Sequence, residues 1–85
     1  MDKYQFSLHQ EILLDKGTDI LAGFFHYARD NNIPLEDTHN PINVMYRLVR
    51  DAKHNILLAS TETDLYKIEV QFDFARRFYK EISGC

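Results

Sequence analysis

The sequence predicts an α+β fold: a single small domain in which three or four helices pack on a small antiparallel β-hairpin or sheet, with an all-α bundle as the alternative. Two segments and one break underlie this reading. Ile42, Met45, Val49 and Ala52 recur at three, four and three residues, which places them on one helical stripe. From Tyr66 to Phe74 every even residue is apolar and every odd one polar, the period of a half-buried strand. The polar run from Asn31 to Pro41 separates two halves, and 85 residues leave room for only one domain, residues 1–85 with the loop 31–41 between its halves.

Taken in order, Tyr4, Phe6 and Leu8 alternate as an edge strand would, whereas Leu8, Ile12 and Leu13 fit a short helix. Gly17 turns the chain, and Thr18 is the expected cap of a helix running from Asp19 to about Asp30, with Leu21, Phe24, Phe25 and Ala28 on one face. Asn31, Asn32 and Pro34 stop it. Asn40 offers a side-chain acceptor to free amides, and Pro41 loses no bond at the first helical position, so a helix is expected from about 41 to 53. Ile56-Leu57-Leu58-Ala59 and the segment Leu65 to Asp73 are the arms of the expected hairpin, joined through Ser60 to Asp64. A last helix follows over 74–83, with Ala75, Phe78, Tyr79 and Ile82 as its apolar face and Gly84 behind it. The competing reading is one helix from Asp64, capped by Thr63, with Leu65, Ile68, Phe72, Ala75, Tyr79 and Ile82 on one stripe. It leaves Tyr66 and Val70 off that stripe, so the strand is preferred.

Ten Lys plus Arg against thirteen Asp plus Glu give a net charge of −3, which disfavours a protein that coats nucleic acid. The charge is uneven: residues 1–40 carry three basic and seven acidic side chains, residues 41–85 seven and six. Any positive surface therefore belongs to the second half. The only cysteine is Cys85, so no internal disulfide and no four-thiolate metal site is expected, and a reducing cytoplasm is the default location. No apolar run has the length of a membrane span or the flanks of a signal peptide, so no membrane association is expected.

No Gly-rich phosphate loop, paired Cys-x-x-Cys, His-Glu-x-x-His helix or nucleophile elbow occurs. His26 and Asp30 lie four apart and share a helix face; with Asp37 and His39 from the loop they would make four ligands, which requires a fold-back the sequence does not demonstrate. No catalysis, cofactor or metal is expected, and a small metal-dependent enzyme ranks last. The leading expectation is a regulatory, inhibitor or adaptor protein that acts by protein–protein interaction, with self-association as a dimer. Its expected contact residues are Tyr46, Arg47, Arg50, Arg76, Tyr79 and Lys80, because tyrosine rings and long cations on helix faces supply contact area and charge at little entropic cost. The second reading, a nucleic-acid-binding regulator, requires Arg47, Arg50, Arg76 and Lys80 to converge on one surface.

Overall fold

The computed structural model describes residues 3–84, so Cys85 lies outside the described residues. It contains three α-helices: α1 over Lys3–Asp30, α2 over Pro41–Leu58 and α3 over Glu62–Ser83. The expected α+β class is therefore replaced by an all-α fold, with no strand among the described residues. Residues 4–8, expected as a possible edge strand, belong to α1, and both arms of the expected hairpin are helical up to Leu58 and from Glu62.

Local chemistry accounts for each boundary. Asn40 is extended and its side chain accepts a hydrogen bond from the Ile42 amide at 2.9 Å, with Pro41 at the first helical position, as the sequence implied. The helix then runs past residue 53 because Ile56 continues the buried stripe Ile42, Met45, Val49, Ala52. At the next start the cap is Thr61, not Thr63: its hydroxyl accepts from the Asp64 amide, and the Asp64 carboxylate accepts from the Thr61 amide, each at 3.2 Å. Gly84 ends α3 in the left-handed conformation, φ 75°, with its N–H donating to the Lys80 carbonyl.

Gly17 does not turn the chain. It sits inside α1, buried, where a Cβ would come within 2.9 Å of Phe72 Cζ, so its bare backbone lets the Phe72 ring lie against the helix. Thr18 likewise caps nothing; its hydroxyl donates to the Leu14 carbonyl one turn back at 2.9 Å.

The core is a single cluster. Leu13, Ile20, Phe24 and Ala28 from α1 meet the α2 stripe and Leu65, Ile68, Phe72 and Ala75 from α3. Pairings give the directions. His9 meets Glu62, Lys16 meets Asp73 and Tyr27 meets Ile82, so α1 and α3 run parallel. Gln10 donates to the Ile56 carbonyl while Gly17 lies beside Lys53, so α2 runs antiparallel to α1. Buried Asn43 ties the 31–40 connection down, its amide donating to the carbonyls of Pro34 and Asp37 at 2.9 and 2.8 Å.

Candidate partner-binding groove

Parallel α1 and α3 leave a furrow on their outer side, a groove of about 550 Å³. Its depth comes from buried Ile20 and from Gly23, which has no side chain to fill the furrow; the Tyr79 ring beside it lies 3.5 Å from where a Cβ would stand. Half-exposed Ile12 extends the apolar surface toward the N-terminal end of α1. Asp15 and Asp19 edge the groove from α1, and Arg76 and Lys80 edge it from α3. Among the described residues none of these four has an ion-pair partner; Lys16, also at the groove, is committed to Asp73 at 2.6 Å. The groove thus combines an apolar base with one acidic and one basic wall, both uncompensated.

Three of the six residues expected to contact a partner, Arg76, Tyr79 and Lys80, line this groove. The other three lie on α2 and do not. Tyr46 is half-buried against the core. Arg47 donates to the Thr38 carbonyl at 2.8 Å, and Arg50 pairs with neighbouring Asp51 at 3.4 Å. The four cations a nucleic-acid surface would need are thus divided between a groove on α1 and α3 and the α2 surface. His26 is exposed with its ring edge toward Phe25, Asp30 pairs with Arg29, and Asp37 accepts from the His39 amide. No cluster of three or more metal-capable side chains forms among the described residues. Asp15, Asp19 and Ile12 are not among the contact residues expected from the sequence; Asp15 and Asp19 are one turn apart on the helical period of α1, a signal hidden by the turn expected at Gly17.

At the opposite end of the α1/α3 seam, His9 Nδ1 meets Glu62 Oε1 and the His9 ring packs edge-on against Tyr66, 5.5 Å between centroids. Nearby, hydrogen bonds from the Ser60 amide, then from the Thr61 side chain and amide, outweigh desolvation and hold the Asp64 carboxyl below the usual carboxylate range, with Lys67 adding to the effect. No described helix is long and apolar enough to cross a membrane.

The fold is thus a small three-helix module with a two-signed groove along α1 and α3. The chain is a member of the bacterial epsilon antitoxin family, whose model matches residues 2–82. Membership assigns it a regulatory role as an antitoxin, with a toxin protein as partner. No curated protein and no solved structure matched the chain.

Proposed function

We propose that this chain neutralises its toxin in the cytoplasm by direct stoichiometric binding, without catalysis, and that the α1/α3 groove is the contact surface. The family match over residues 2–82 carries this reading, since it spans all three helices and hence both walls of the groove. The uncompensated charges support it: Asp15, Asp19, Arg76 and Lys80 keep their full interaction capacity for a partner, and Tyr79 offers an aromatic surface between them. Tyr46, Arg47 and Arg50 serve mainly the fold of α2 and the 31–40 connection. Co-expression with the toxin is the test. Growth arrest by the toxin alone and its relief by the chain are the expected results; arrest that persists in the presence of folded chain contradicts the proposal. Sedimentation of the purified chain reads whether a second copy accompanies it.

A further inference from the structure

A second depression, separate from the groove, lies on the outer face of α3: an open hollow of about 510 Å³ lined by Val70, Asp73, Arg76, Arg77 and Lys80. Asp73, Arg76, Arg77 and Lys80 stand at i, i+3, i+4 and i+7, spacings that gather them on one helix face, with the two arginines flanking the space between Asp73 and Lys80. The only carboxylate lining the hollow is already engaged. Asp73 accepts from Lys16 of α1 at 2.6 Å, and the Lys16 side chain is the more buried of the two. Arg76, Arg77 and Lys80 have no ion-pair partner among the described residues. Glu81 follows Lys80 in sequence but does not line the hollow, and Asp15 and Asp19 line the groove alone, whereas Arg77 lines the hollow alone.

We propose that this hollow binds a small oligophosphate anion. The Arg76 and Arg77 guanidinium groups donate paired N–H bonds to phosphoryl oxygens, and the Lys80 ammonium supplies a third, point-like charge. Lys16 is a positioning residue: it holds Asp73 in an ion pair, so that this carboxylate does not oppose the anion. A monovalent anion would leave two of the three cations uncompensated, whereas two or three linked phosphoryl groups match them all. A nucleic-acid strand fits less well, because it needs cations along its length and the further arginines Arg47 and Arg50 lie on α2, each engaged locally. The site is built from α3 and Lys16 and does not depend on the antitoxin reading.

Calorimetric titration of the full chain with inorganic tripolyphosphate, in phosphate-free buffer at low salt, should show saturable binding of one anion per chain, with inorganic phosphate at least about tenfold weaker. Arg77→Gln should weaken tripolyphosphate binding at least about fivefold, whereas Arg50→Gln, which removes the same charge from α2, should leave it unchanged. Lys16→Met keeps the apolar stem and frees the Asp73 carboxylate, so binding should weaken at least about threefold. Adding Asp73→Asn should restore it, and adding Asp51→Asn, which returns the same net charge elsewhere, should not. Circular dichroism checks that each variant is folded. Absence of saturable binding, or equal weakening by Arg77→Gln and Arg50→Gln, overturns the proposal. Equal rescue by Asp73→Asn and Asp51→Asn, or rescue by neither, overturns the role given to Lys16. Tighter binding of a single-stranded oligonucleotide than of tripolyphosphate, at equal phosphate concentration, overturns the choice of ligand and assigns the surface to nucleic acid.

Discussion

Phe72 is fully buried, and the space its ring occupies exists because residue 17 has no side chain. Gly17→Ala gains helix propensity of about 1 kcal/mol, yet it places a methyl group 2.9 Å from a ring that cannot withdraw into solvent. Overpacking of this kind costs roughly 1–3 kcal/mol, so a net loss of stability in urea unfolding is expected. Gly23→Ala should do the opposite. Its Cβ would meet Tyr79 at an ordinary 3.5 Å, and unfolding should show a gain of roughly 0.5–1 kcal/mol. Asn43→Ala removes the side chain that bonds the Pro34 and Asp37 carbonyls together, and should cost about 1–3 kcal/mol in the same assay. A Gly17→Ala variant at least as stable as the wild type would contradict the packing described for α1 and α3.

Among the elements, α3 shows what the sequence could and could not convey. Ile68 and Phe72 satisfy the period of two and the period of 3.6 equally, so the decision fell to Tyr66, Val70 and Phe74. A pattern that assumes large apolar residues are buried must prefer the strand, because only a strand collects all of them. In the fold these three are 54%, 65% and 53% exposed, and it is their exposure, a tertiary outcome, that defeats the pattern. The legible sign was Thr61-x-x-Asp64, a reciprocal cap that a strand has no use for. In α1 the same weakness took another form: Gly17 and Thr18 were read as punctuation, whereas Phe72, far away in sequence, explains the glycine. Asn40 and Pro41 announced α2 correctly because capping is a local effect. Thr61→Ala should cost about 1 kcal/mol. The Asp64 carboxylate is favoured in the fold, so its contribution is complete above about pH 4 and is lost as pH falls through its lowered value. In thermal melts across that range Asp64→Asn should flatten the acid limb of stability; an unchanged limb would show that the cap is not formed in solution.

Across the whole molecule, the charges and aromatic rings read from the sequence include one wall of the groove. Arg76, Tyr79 and Lys80 stand out on α3 because i, i+3 and i+4 spacing gathers them, and this holds whether the helix begins at residue 62 or 74. The acidic wall did not stand out, since Asp15 and Asp19 fell on either side of the expected turn, and Asp19 was read only as the start of a helix. Arg47 and Arg50 differ from the groove cations in being engaged locally, Arg47 by the Thr38 carbonyl and Arg50 by Asp51. The function class was more legible than the fold, because an interaction protein was inferred from length and missing catalytic signatures, neither of which depends on whether residues 65–73 are strand or helix. Calorimetric titration of the purified toxin with the chain tests the central claim most directly. Saturable binding is expected, weakened at least about tenfold by Arg76→Glu with Lys80→Glu and unaffected by Asn55→Ala on the α2 surface. Equal affinity of the wild-type chain and the folded Arg76→Glu, Lys80→Glu variant would contradict it.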